Sequence, residues 1–136
     1  MSSFDYNNDF KIPFRNYVLE DLEVNTIIAN RFYGAQLATL FEVAFPMAVF
    51  YQDVGQVQNL GIIKRLIMVI RGYSNTSFDE AYTIHKAISE RLGGGSGPKY
   101  ITPYITIRPL STPTETYEKE PRLYGVGSRF NVVWVS

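Results

Sequence analysis

Two periods of apolar residues run along this chain. From Phe14 to Ile28 the apolar positions Phe14, Tyr17, Val18, Leu22, Val24, Ile27 and Ile28 fall mostly three or four apart, which predicts an amphipathic helix weakened in its second half by Asn25 and Thr26. Ahead of it, Met1 to Pro13 is polar and without period, so it reads as an arm that is loose unless a neighbour pins it, with the domain occupying residues 14 to 136. In "RFYGAQLATLFEVAFPMAVFYQ" the period becomes two: Val43, Phe45, Met47, Val49 and Tyr51 oppose Ala44, Ala48, Phe50 and Gln52. Pro46 near its start predicts an edge strand or a bulge.

After the loop "DVGQVQNLG", "IIKRLIMVIRGY" supplies a second strand with Leu66, Met68 and Ile70 on one face and Ile67 and Val69 on the other, so both faces need cover. The best-marked element follows. Ser77 with Glu80 forms a capping box; Phe78, Ala81, Ile84, Ala87, Ile88 and Leu92 line one face; Gly93 stands at the stop, which predicts a helix over 77–92. Ile101, Ile105 and Ile107 then oppose Tyr104, Thr106 and Arg108, with Pro103 and Pro109 bracketing the strand. "STPTETYEKEPR" reads as a polar excursion. In the closing "LYGVGSRFNVVWVS", Tyr124, Val126, Phe130, Val132 and Trp134 face one way and Arg129, Asn131, Val133 and Val135 the other. The order α-β-β-α-β-β predicts an α+β fold: a mainly antiparallel sheet of about four strands with two helices on one face.

Composition narrows the chemistry. The 136 residues fit one domain, and 13 basic residues balance 13 acidic ones, so no global field draws the chain to nucleic acid or to an anionic membrane. With no cysteine there are no disulfides, thiolate metal sites or cysteine nucleophiles. The N-terminal "MSSFDYNNDFKIPF" lacks the pattern of an export signal, and no stretch approaches the roughly 20 apolar residues of a membrane span, so a soluble protein without membrane partners is expected. Ten tyrosines and nine phenylalanines are more aromatic surface than one small core hides, which points to partner chains.

Catalytic candidates are few. The single histidine, His85, lies beside the apolar stripe of its helix without an acidic or histidine partner at ligand spacing. Asp79 and Glu80 fall in that helix's first turn, where the positive end of the dipole favours carboxylates, and Glu20, Asp21 and Glu23 read as a solvated face. The glycine-rich "ERLGGGSGPKY", residues 90 to 100, leaves a helix and enters a strand, the reverse of a phosphate-binding loop; helix C-terminal carbonyls repel phosphate, and Pro98 precedes Lys99 with no Ser or Thr after it. No catalytic, cofactor-binding or metal-binding residue is assigned, and no enzyme is expected.

"NTIIANRFYGAQLATLFEVAFPMAVFYQDVG", "KRLIMVIRGYSNTSFDEAYTIHKAISERL" and "TPYITIRPLSTPTETYEKEPRLYGVGSRFNVVWV" carry an N-terminal helix, the "FPMAVFYQ" strand, the arginine-glycine of "IRGY", the "A..I...L" helix and the final "YGVGSRFNVVWV" strand. In this pattern most of the chain after residue 14 resembles the tail terminator and tail-to-head joining proteins of long-tailed bacteriophages. The resemblance implies a structural virion protein, assembled in the host cytoplasm, that forms a homo-oligomeric ring, typically a hexamer. Such a ring stands on the tail tube protein, ends tube growth and meets the head connector or neck protein, with DNA only passing through its lumen. A neck or head-completion component of the same virion is the alternative within that class.

Length and polarity select two connections as contact surface: Asp53, Val54, Gln56, Gln58 and Asn59 in "QDVGQVQNLG", and Thr112, Glu115, Tyr117, Glu118, Lys119 and Arg122 in "STPTETYEKEPR". They could equally be ordinary hairpin loops, and the arm with its "FDYNNDFKIPF" is a third candidate. Two other classes stay open. Lys64, Arg65 and Arg71 around one strand, with many aromatics, would suit a nucleic-acid-binding module. A small enzyme would bring His85 and carboxylates into one pocket.

Overall fold

A computed structural model of the protein describes residues 6–37, 40, 43–53, 58–60, 63–93, 99–102, 105–118 and 122–135. The chain begins with a π-helical turn, Tyr6–Lys11, running into helix α1, Ile12–Leu19, and then α2, Leu22–Ile28. Residues 6–13, assigned to the arm by their polarity, are therefore helical, and Phe10 among them is fully buried, stacked on Phe14 at 5.4 Å and on Trp134 at 6.1 Å. Phe10 extends the i, i+4 series of Phe14 and Val18 one turn back, a continuation that the polar residues around it conceal. Met1 to Asp5 lie outside the described residues.

The single helix expected over 14–28 is two. Asp21 takes an extended conformation and caps α2, its carboxylate accepting from the Glu23 and Val24 N–H groups at 3.0 and 3.1 Å. The break resets the helical phase: Phe14, Val18, Val24 and Ile28 are buried, while Leu22, on the same stripe in sequence, is 83 % exposed. Arg91 at the end of the third helix holds α1 in place, donating from Nε to the Tyr17 carbonyl at 3.0 Å with its guanidinium 3.8 Å from the Tyr17 ring centre.

That third helix, α3 (Phe78–Arg91), matches the 77–92 expectation. Ser77 Oγ accepts from the Glu80 N–H at 3.2 Å, but Glu80 does not return the bond as a capping box would; its carboxylate accepts from Ser74 Oγ at 2.6 Å. Gly93 stops the helix at φ 101, a left-handed conformation that glycine adopts without penalty. Residues 94–98 of the glycine-rich stretch lie outside the described residues.

The described residues form one sheet of eight strands: β1 (Phe32–Tyr33), β2 (Met47–Gln52), β3 (Gln58–Leu60), β4 (Ile63–Ser74), β5 (Lys99–Thr102), β6 (Ile105–Pro109), β7 (Thr114–Glu118) and β8 (Leu123–Val135). The spatial order is β1-β2-β4-β8-β6-β5, with β3 also on β4 and β7 also on β8; only the β1–β2 pair is parallel. The mainly antiparallel α+β reading holds, with three α-helices instead of two and more strands than four. The added strands are short or polar. β5 and β6 form a hairpin, so Ile101 belongs to a different strand from Ile105 and Ile107, and β7 is the "TETYE" of the supposed excursion, exposed along its whole length. With no buried face β7 carries no alternation to read; its backbone pairing with β8 makes it a strand. The strand expected from Val43 starts only at Met47, after Pro46.

Long strands β4 and β8 pair along their length, from Ile63 opposite Val135 to Ser74 opposite Tyr124. Their even-numbered side chains, including Leu66, Met68, Ile70, Phe130, Val132 and Trp134, face the helices and make the core with Phe14, Phe32, Phe50, Ile84 and Ile88. Helix and sheet approach closely at Gly72, where a Cβ would lie 2.8 Å from Ile84 Cγ2 and 3.2 Å from the Ala81 carbonyl oxygen. Gly72→Val is expected to lower stability by about 1–3 kcal/mol in urea unfolding, because α3 backbone must shift to admit the side chain; an unchanged midpoint would contradict this packing.

Candidate functional site

One residue of the first connection, Asp53, meets the start of the second. β6 and β7 follow one another along the same edge of β8, and between them four residues, Leu110 to Pro113, stand opposite two, Ser128 and Arg129. This bulge is pinned by the Leu110 N–H donating to the Arg129 carbonyl at 2.9 Å and the Arg129 N–H donating to Ser111 Oγ at 3.0 Å. Asp53, just past β2, reaches the same place: its Oδ2 lies 3.1 Å from Arg129 Nε. Asp53, Ser111 and Thr114 together line a pocket of about 300 Å³ on the sheet face away from the helices.

Of the other expected contact residues, Thr112, Glu115, Tyr117, Glu118 and Arg122 are exposed. Tyr117 stacks on Tyr124 with ring centres 5.0 Å apart, and Phe78 meets Tyr124 edge-on at 4.9 Å, so the exposed ring is anchored from beneath. Glu115 accepts from the Tyr82 hydroxyl, a bond that raises the Tyr82 pKa. Among the described residues no strand pairs with the outer edge of β7. Gln58 and Asn59 pair with Arg65 and Lys64 in the β3–β4 ladder, while Val54, Gln56 and Lys119 lie outside the described residues.

His85 is buried on the helical side together with Ser74 and Ser128. It is 5 % exposed, with Nε2 2.7 Å from Ser128 Oγ and Nδ1 3.4 Å from Ser89 Oγ. Burial pushes its pKa down to about 4, and the Arg71 guanidinium acts in the same direction. Ser128 and His85 border an apolar pocket of about 450 Å³ shared with Tyr82, Pro109, Pro113 and Phe130. A serine beside an imidazole suggests a nucleophile and its base, but the chemistry is weak. A base of pKa near 4 has little driving force at neutral pH, and the second ring nitrogen faces a serine where a carboxylate would orient and stabilise an imidazolium. The carboxylates do not converge on it: Glu80 is held by Ser74 and Asp21 caps α2. Ser128 has no signal in the sequence, since only the register of β8 under α3 brings it to His85. Among the described residues no group of three His, Asp or Glu could hold a metal ion, and no helix is long and apolar enough to cross a membrane.

The face of the sheet away from the helices differs in charge. Alternation places Arg65 and Arg71 of β4 there with Arg129 of β8 and Arg108 of β6, while Lys64 falls on the opposite face, so the basic trio read from the sequence does not converge as a unit. Two glycines of "YGVGSRF" make the room. A Cβ on Gly127 would collide with Arg71 Cγ and lie 2.9 Å from the Ile70 carbonyl oxygen, and one on Gly125 would lie 2.5 Å from Thr116 Oγ1 and 2.8 Å from the Tyr73 ring. Arg71 and Tyr73 therefore lie flat across β8.

The architecture is a small α+β fold with helices on one sheet face and, on the other, four arginines beside the buried Met47, Val49 and Val69. No protein-family model matches the sequence, and no curated protein matches it. Among solved structures, a chain from the "Virion of native gene transfer agent (GTA) particle" superposes with a TM-score of 0.70 at 12 % identity, covering 98 % of this chain and 100 % of that one. The protein shares its whole fold with a virion component.

Proposed function

We propose that this protein is a structural subunit of a phage-type virion, forming a ring at the head-proximal end of the tail that ends tube growth and joins the tail to the head connector. The observation that carries the reading is the shared fold: a chain of a virion particle spans the same architecture from end to end. Three further features support it. Among the described residues β7 is an exposed strand with no strand on its outer edge, the aromatic ladder of Phe78, Tyr124 and Tyr117 ends in a half-exposed ring, and the bulge brings Ser111 and Asp53 to Arg129. A ring needs two different patches on each copy, and the two sheet faces provide surfaces of different chemistry. The poor basicity of His85 supports a non-enzymatic role.

Electron microscopy of particles assembled without this protein tests the proposal. Tails longer than those of complete particles are expected, because nothing ends tube growth. Heads without tails, or leaking heads, would move the protein to the neck; tails of normal length on filled heads would overturn the virion-ring reading altogether.

A further inference from the structure

Two features meet where α3 passes over β7. The first is backbone: β7 pairs with β8 along one edge, and among the described residues no strand occupies the other. An open edge is a row of N–H and C=O groups set to pair with an extended chain. The second is the apolar pocket of about 450 Å³ between α3 and the bulge that leads into β7. Pro113, the residue before β7, lines it with Pro109, Phe130 and the Tyr82 ring of α3. His85 and Ser128, which also border it, satisfy each other at 2.7 Å, so an apolar group enters without stranding them. An open strand beside a recess flanked by a helix has both parts needed to bind a peptide as an added strand: main-chain pairing gives affinity and the pocket gives specificity.

We infer that β7 binds an extended segment of a different protein as an added strand, with a large apolar side chain of that segment in the pocket and a lysine or arginine two residues further on, opposite Glu115. That the other protein belongs to the same particle rests on the reading above. The spacing follows from the ladder. Side chains on one face recur at every second residue, so the positions opposite Pro113, Glu115 and Tyr117 share the α3 face, where Glu115 meets Tyr82 and Tyr117 meets Phe78. The pocket selects an apolar group at the first position, and the 48 % exposed Tyr117 ring, stacked on Tyr124, selects another at the third. Charge sets the middle one. Glu115 and Glu118 are exposed and form no salt bridge among the described residues, so a cation across the ladder is favoured and a carboxylate disfavoured. The same charges exclude a second β7, which would set glutamate against glutamate. β5, the last strand of the sheet path, carries Lys99 but packs Ile101 against its own core and so has no free anchor beside that lysine.

The test titrates the full chain with three capped peptides built on alternating threonine: TFTKTLT, TFTETLT with the charge reversed, and TATKTAT without the anchors. TFTKTLT is expected to bind saturably, to shift the NMR amide signals of residues 114–118 and to slow their hydrogen exchange. The charge-reversed peptide should bind about five-fold more weakly, and the peptide without anchors about ten-fold more weakly or worse. Glu115→Lys should invert the preference between the two charged peptides, an exchange that a loss of folding cannot produce. No saturable binding, unshifted β7 amides, or equal affinity for the two charged peptides would overturn the inference. So would β7 amide shifts that follow the protein's own concentration without peptide, which would make the occupant a second copy. Peptide binding combined with normal tails on filled heads in particles lacking the protein would keep this surface and overturn the virion-ring reading. Overlong tails without peptide binding would do the reverse.

Discussion

Phe14→Ala lowers the free energy of unfolding by about 3–5 kcal/mol. Phe14 is fully buried where the N-terminal helices meet the sheet, within 4.9 Å of the Phe50 ring centre, 5.4 Å of Phe10 and 5.9 Å of Phe32. Truncation removes the transfer free energy of a phenyl ring and three aromatic contacts, and opens a cavity that four converging elements cannot collapse together. Urea unfolding followed by circular dichroism measures the loss. Leu22→Ala is the internal control: it belongs to the same stripe of the sequence, but its exposure leaves the effect within about 0.5 kcal/mol. Equal losses for the two variants would mean that α1 and α2 are one continuous helix and that the break at Asp21 is wrong.

Acidification removes about 3 kcal/mol of stability through His85. Its pKa is 6.5 in an unfolded chain and about 4 in the folded one, so between these values the unfolded chain binds a proton that the folded chain excludes. The contribution is complete above pH 6.5 and is lost as pH falls toward 4, at 1.36 kcal/mol for each unit of separation. Carboxylates as a class also titrate toward the acid end of this range, so the measurement is the difference between wild type and His85→Gln. Between pH 7 and pH 4 wild type should lose about 3 kcal/mol more than the variant, and parallel curves would show that the imidazole is solvated in the folded state. The effect also bears on function, because a histidine kept neutral by burial between Ser128 and Ser89 serves packing better than proton transfer.

Contacts within one element were legible. The 3.6-residue stripe of α3, the Ser77 cap, the left-handed Gly93 and the alternation of β4 and β8 are written locally, because each records which side of a single helix or strand faces water. The N-terminal helices were legible only in part. An apolar stripe does not show a change of phase, and the capping aspartate at position 21 read as one more solvated acid. β7 was missed since "TETYE" has no buried face, and Phe10 since the polar residues around it hid that it stands one turn before Phe14 on the same stripe.

For the candidate surface the division is sharper. Polarity and length picked out the stretches around Asp53 and Glu115, and composition by itself excluded thiol chemistry and a global field of one sign. That Asp53 and Ser111 meet at Arg129, that Ser128 sits against His85, and that Arg71 and not Lys64 shares a face with Arg129 were decided by tertiary structure alone. The physical reason is register. A strand's side chains alternate with a period of two, so a slip of one residue between β4 and β8 would exchange every arginine for its neighbour, and only the packed core holds that alignment.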